Sequence, residues 1–251
     1  MEKQKKENVV DLFWTGGWDS TYRLLDLILV HNKKVQPHYL IDPNRRSTRL
    51  ELKAMRKIRE ELLKKDARSH EFLFPVKYAE VNSLKENNAI TSAYERLVRN
   101  VPLGIQYEWM ARYCNENGIE EMELSIEQGD SKFNKFIEPL VSKINWDWSS
   151  FSYRVDDIHE GEDEYEIFKY FNFPVLHLSR SEMTELSKEK GFFSLLEQTW
   201  FCHNPINNKP CGVCDPCITT IKEKQKWRIP LKSRIRYYLY VQTGLRKLRK
   251  K

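Results

Sequence analysis

Val9, Val10, Leu12 and Phe13 make an apolar run too short for a helix, and it ends in Thr15-Gly16-Gly17-Trp18-Asp19-Ser20. Beyond that turn, Leu24, Leu25, Ile28 and Leu29 recur at helical spacing. The run reads as a buried strand, the turn as its exit, and residues 21–31 as a helix folded back onto a sheet. The alternation continues. Further strands are expected at 37–41, 76–81, 121–126 and 175–178. Helices are expected at Thr48–Lys65, with Leu52, Met55, Ile58 and Leu62 on one face, and at 105–117, closed by Gly118. A last helix opens on the capping pair Ser179 and Glu182 and stops at Gly191. Strands alternating with helices predict an α/β fold with a doubly wound, mostly parallel sheet. Ligands of such sheets sit beyond the carboxyl ends of the strands. Three polar segments follow predicted strand ends: 15–20, 42–46 and 127–130.

Composition bounds the rest. A chain of 251 residues with 40% hydrophobic and 12% aromatic content can bury a core and is not disordered. The net charge of +6 is unevenly spread: residues 222–251 hold twelve Lys and Arg against Glu223, which is +11, so the remainder carries −5. The longest apolar stretch, around 24–30, is interrupted by Asp26 and falls well short of the ~20 residues of a membrane span. The charged N-terminus is no secretory segment, and five cysteines fit a reducing compartment, so a cytoplasmic location without membrane contact is expected. Residues 156–166 hold seven acids and read as a solvated loop. Trp146, Trp148, Phe151 and Tyr153 read as core or dimer packing rather than base stacking.

The glycine turn has a physical use. Gly16 and Gly17 let the backbone approach an anion, the next helix offers free N–H groups, and Thr15, Ser20 and Thr21 add hydroxyls. The pattern matches neither the dinucleotide nor the Walker fingerprint. Asp19 beside a phosphate would repel it unless it binds Mg²⁺ or caps the helix, and a plain capped turn remains an alternative.

Cys202, Cys211, Cys214 and Cys217 have the spacing C-x8-C-x2-C-x2-C. Four thiolates in so short a stretch suit a closed, structural tetrahedral zinc, with an iron–sulfur cluster or disulfides as alternatives. Cys114, inside a predicted helix, reads as a small buried hydrophobe.

The turn resembles the Ser-Gly-Gly-x-Asp-Ser loop of the PP-loop ATP pyrophosphatases, with Thr15 in place of the first Ser. Those enzymes cleave ATP between the α and β phosphates and activate a carboxylate or carbonyl as an adenylate. Thr199-Trp200-Phe201-Cys202 and Lys209-Pro210-Cys211-Gly212-Val213-Cys214-Asp215-Pro216-Cys217 resemble the zinc segment of the 7-cyano-7-deazaguanine synthase (QueC) family. So do residues 174–183 and the positions Asp42, Arg46 and Glu51. The resemblance implies a PP-loop (HUP-like) domain at 8–198, a zinc-binding segment at 199–221 and a basic tail at 222–251. It implies ATP binding by Trp14, Thr15, Gly16, Gly17, Asp19, Ser20, Thr21 and Asp42. Asp19 would hold Mg²⁺ and share catalysis with Asp130, and Arg46, Glu51 and Glu127 would meet a deazapurine, 7-carboxy-7-deazaguanine. Zinc on the four cysteines would supply order only.

The middle of the chain departs from that family. Gly104 and Ile105 stand where it has Arg-Asn, Glu127-Gln128-Gly129-Asp130 keeps only the last residue of Asn-Ala-Glu-Asp, and its Tyr after Asp42 is Pro43. The resemblance thus implies a divergent relative that forms an amide or nitrile, or joins the activated acid to another amine. The setting implied is a non-queuosine, anti-phage pathway with a protein partner or protein amine acceptor, and a homodimer. A PP-loop tRNA-modifying enzyme is the alternative, the basic tail offering RNA a docking arm. Retention of the whole turn argues against a non-catalytic adaptor.

Overall fold

The fold is seen in a computed structural model that describes residues 9–129, 131–146, 149–223 and 225–242. Asp130, Trp148 and the far end of the basic tail, named above, lie outside the described residues. The strands are β1 (Val9–Phe13), β2 (Lys34–Ile41), β3 (Lys77–Glu80), β4 (Met122–Glu123), β5 (Val141–Trp146), β6 (Ser149–Val155) and β7 (Phe171–Asn172). The helices are α1 (Trp18–Leu29), α2 (Thr48–Lys65), α3 (Ser69–Phe72), α4 (Asn88–Leu97), α5 (Gln106–Asn117), α6 (Lys132–Ile137), α7 (Asp163–Phe168), α8 (Arg180–Glu189), α9 (Phe193–Leu196), α10 (Asp215–Lys222) and α11 (Leu231–Tyr237).

A parallel sheet runs in the order β3-β2-β1-β4-β7. Strand alternation sends Val10 and Leu12 of β1 to one face, against α1, α2, α8 and α9. It sends Phe13 to the other, against α4, α5 and α7. The order reverses direction between β1 and β4, so a crevice opens beyond the carboxyl ends of those two strands. The α/β, mostly parallel architecture expected from the alternation is the one present.

Several elements match expectation closely. Helix α2 covers Thr48–Lys65, with Met55, Ile58 and Leu62 buried. Gly118 closes α5 at φ 61°. Ser179 and Glu182 form a complete capping box on α8.

Others differ. Residues 175–178 form no strand: the Leu178 N–H donates to Val175 O at 2.9 Å, closing a turn after Pro174. Val175 and Leu176 are apolar because that turn is buried, not because it is extended. The fifth strand is β7, just before it. The acidic stretch at 156–166 is part helix, because Ile167 and Phe168 of α7 enter the core while Arg96 neutralises Asp163. The antiparallel pair β5–β6 had no clear signature in the sequence.

Candidate functional site

The glycine turn leaves β1 and enters α1 at the crevice. Gly16 sits at φ +67°, and a Cβ there would lie 2.9 Å from Met55 Cγ and 3.1 Å from Glu51 O. Both the backbone conformation and the close approach of α2 therefore require glycine. Helix α1 starts at Trp18, with Gly17 at the N-cap position and no side-chain cap. Asp19 is thus inside the first turn and does not cap the helix, so the capped-turn alternative falls. Its carboxylate neighbours the charges of Arg180, Glu127 and Glu223.

Asp19 is an unsatisfied group. Its Oδ1 is buried without a hydrogen bond, and the nearest cation among the described residues, Arg180 Nη2, is 3.9 Å away. Arg180 is held elsewhere: it donates to Glu127 from Nε at 3.1 Å and from Nη2 at 2.5 Å, and pairs with Glu223 at 3.1 Å. Three carboxylates thus share one guanidinium. Burial, then the charges of Glu127 and Glu223, push Asp19 up to about 8 against the pull of Arg180. Burial raises Glu127 and Glu223 as well. A cluster with surplus negative charge and an orphaned carboxylate oxygen is built for a cation.

The remaining predicted residues divide into two groups. Thr15, Gly16, Gly17, Asp19 and Ser20 lie together at the turn, with Glu127 near by through Arg180. Trp14 and Thr21 are fully buried and bond to each other, indole Nε1 to Oγ1 at 2.9 Å, so they brace the turn from beneath. Asp42 accepts from the Asn44 N–H at 2.8 Å and stabilises the bend after β2. Glu51 is 3% exposed and accepts from Tyr39 at 2.8 Å, Ser47 at 2.6 Å and Arg45 at 2.9 Å. Its ionic partner is Arg45 and not Arg46, which is exposed.

The four cysteine sulfurs lie within 4.8 Å of one another. Backbone N–H groups point at them: Cys211 at Cys202 Sγ (3.2 Å), and Val213 (3.4 Å) and Cys214 (3.3 Å) at Cys211 Sγ. Donors aimed at sulfur favour thiolates, and four converging thiolates fit a tetrahedral metal ion. Gly212 makes the knuckle at φ +87°, where a Cβ would fall 2.0 Å from Ser233 O. Part of the region read as a tail is therefore packed on the cysteine cluster: Ile229 is wholly buried there, and Ser233 Oγ donates to Pro210 O at 2.5 Å.

The cysteine segment also reaches the glycine turn. The Trp200 N–H donates to Gly16 O at 2.8 Å. Arg228 places its guanidinium 4.8 Å from the ring centres of both Trp18 and Phe201 and donates to Thr199 O at 2.7 Å. Trp200, Arg180, Glu223 and Arg228 were not singled out as site residues from sequence. Trp200 stands 184 positions from Gly16, Arg180 stands 161 and Glu223 stands 204 from Asp19, and Arg228 stands 210 from Trp18, distances no local pattern spans.

Comparison with known proteins bears on this segment. Residues 157–226 match the family described as queuosine biosynthesis protein QueC. A stretch of 49 residues is 43% identical to 7-cyano-7-deazaguanine synthase from two strains of Leptospira biflexa serovar Patoc. The chain is QueC-like and divergent. The aligned stretch spans 20% of this chain and 19% of those relatives' length. The QueC-like region contains α8, the cysteine quartet and Glu223. The glycine turn lies outside it, yet is bonded to it through Trp200. No helix among the described residues is long and apolar enough to cross a membrane.

Proposed function

We propose that this protein is an AMP- and pyrophosphate-forming enzyme that activates the carboxylate of a deazaguanine-type base, 7-carboxy-7-deazaguanine, as an adenylate for carbon–nitrogen bond formation. The observation that carries the reading is the closure of the QueC-like segment onto the glycine turn: Arg180 and Glu223 beside Asp19, and Trp200 on Gly16.

ATP would supply the activating group and Mg²⁺ its charge neutralisation. Gly16, Gly17 and the first turn of α1 would hold phosphates by backbone N–H groups. Asp19, with Glu127 close by, would hold the cation, which would bring Asp19 down to its ionised form. Arg180, beside Asp19 and bonded to Glu127 and Glu223, would supply positive charge to the leaving pyrophosphate. Zinc on Cys202, Cys211, Cys214 and Cys217 would fix the lobe that carries Trp200 and Arg228, contributing order rather than chemistry. Because the region around Gly104, Ile105 and Pro43 departs from the QueC pattern, the acceptor is an amine in the broad sense, ammonia or a partner protein's amine, in a pathway other than queuosine synthesis.

The test is incubation of the pure protein with Mg-ATP and 7-carboxy-7-deazaguanine, with and without ammonium, followed by mass spectrometry. AMP that depends on the base supports the reading, and absence of AMP overturns it. Stoichiometric nitrile would overturn the divergent acceptor alone.

A further inference from the structure

Two cavities meet at Trp200. The larger, about 550 Å³, has Arg49, Lys53, Arg56 and Lys57 of α2 along one wall and Gln198, Trp200 and Asn208 along the other. The smaller, about 240 Å³, is lined by Phe201, Trp227 and Arg228 among others. Glu197 and Trp200 line both, so the two adjoin as one interrupted groove with a single carboxylate, Glu197, at the junction.

Helical spacing explains the basic wall. Positions 49, 53, 56 and 57 share a face of α2, above Leu50 and Ala54, which are buried beneath it. The helix's acids offset that face only in part. Glu51 is turned inward to Tyr39 and Ser47, Glu61 pairs with Lys64, and Glu60 is exposed one turn beyond Arg56 and Lys57. Among the described residues, Lys53, Arg56 and Lys57 have no carboxylate within ion-pair distance, and Arg49 bonds to the neutral Asn208 at 2.8 Å. The net charge of −5 outside the tail conceals this local positive field.

The other end of the groove is aromatic. The Trp200 and Phe201 rings lie 6.2 Å apart and only 23° from parallel, and Trp227 is 56% exposed. Arg228, between Phe201 and Trp18, connects this end to the first turn of α1 and so to Asp19. Phosphate-binding cations that lead into flat rings are the two parts of a single-strand binding surface. A membrane surface would not enter a concave groove.

We infer that this groove binds single-stranded nucleic acid, with phosphates along the α2 cations and bases against Trp200, Phe201 and Trp227, its aromatic end opening toward the Asp19 site. The inference stands apart from the proposed reaction, since its test needs no ATP.

The experiment is fluorescence anisotropy of the full chain with a short labelled RNA and the DNA of the same sequence, across a salt series. Four phosphate contacts give a slope of log affinity against log salt of about −3, at roughly −0.7 per contact for single strands. The triple variant Lys53→Glu, Arg56→Glu, Lys57→Glu should weaken binding about tenfold or more and flatten that slope. Trp227→Ala should weaken it by roughly fivefold to a hundredfold with the slope intact, and binding should quench tryptophan fluorescence in the wild type. These side chains are exposed, so melting curves of the variants should match the wild type. Wild-type affinity and slope in the triple variant would overturn the inference. So would full competition by inorganic tripolyphosphate combined with indifference to Trp227→Ala, which would mark a site for free phosphate chains.

Discussion

Helix α1 carries two aspartates, seven positions apart, whose pKa values move in opposite directions. Asp26 lies in a balanced cluster. Burial pushes its carboxyl up, but His31, Lys190 and Arg23 outweigh burial and hold it at about 2. Lys190 is 2.7 Å away, and Arg23 is itself gripped by Glu123 through two bonds of 2.7 Å. Asp19 lies in a cluster where Arg180 faces three carboxylates, and it is pushed up to about 8. Burial opposes charge at both. What differs is whether the fold supplies enough cations. The first cluster is complete as folded and ties α1 to β4 and to the end of α8. In the second, one guanidinium serves three carboxylates and Asp19 keeps a buried oxygen without a hydrogen bond, which is the signature of a site rather than of a brace.

The largest effects should come from breaking each cluster in turn. Glu123→Gln leaves Arg23 buried and under-paired, which costs about 3–5 kcal/mol. Thermal denaturation should show Tm lowered by roughly 10 °C, with AMP formation per folded molecule retained. If Tm is unchanged, the cluster does not brace the fold. Asp19→Asn should do the opposite. Loss of a residue that organises transition-state charge costs about 10²–10³-fold in rate, whereas removing an unsatisfied carboxylate leaves Tm equal or higher. A variant that melts early yet turns over normally would reverse the assignment.

This contrast shows what the sequence could and could not reveal. The turn, its strand and α2 were legible because each rests on local rules: an apolar run, paired glycines, a 3.6-residue stripe. The cysteine quartet was legible because its ligands sit within sixteen residues of one another. Residues 175–178 misled because a buried turn and a buried strand are equally apolar. Arg180, Glu223 and Arg228 were invisible as site residues because their meaning comes from what they face across the crevice. Arg180 in isolation is merely the residue after a helix cap.

A smaller effect separates the clusters by pH. A carboxyl whose pKa rises on folding favours the folded state only while protonated. Asp19 therefore contributes less to stability as pH climbs from about 4 toward 8. Asp26, lowered, behaves in reverse, and its contribution is lost as pH falls below about 4 toward 2. Because Asp19 is largely protonated at neutral pH, a divalent cation entering its site must displace a proton. Calorimetry at pH 7 in buffers of different ionisation enthalpy should detect that release on Mg²⁺ or Mg-ATP binding, and affinity should rise with pH up to about 8. Binding without proton release would place the cation away from Asp19.

The smallest expected change tests whether Glu223 belongs to the site or only to its rim. Glu223 is about a third exposed and pairs with Arg180 at 3.1 Å. Its charge raises Asp19, and its ion pair draws on the Arg180 charge that lowers Asp19. Glu223→Gln removes both influences at once, and both act in the same direction: Asp19 should ionise at lower pH. The midpoint of the pH dependence of Mg²⁺ binding should therefore shift toward acid, with Tm changed little because Arg180 keeps both its bonds to Glu127. Glu127→Gln should shift it in the same sense and further, since Glu127 is the stronger charge on Asp19. Equal midpoints in wild type and both variants would show that the three carboxylates titrate independently, and the cluster would then be three neighbours instead of one cation site.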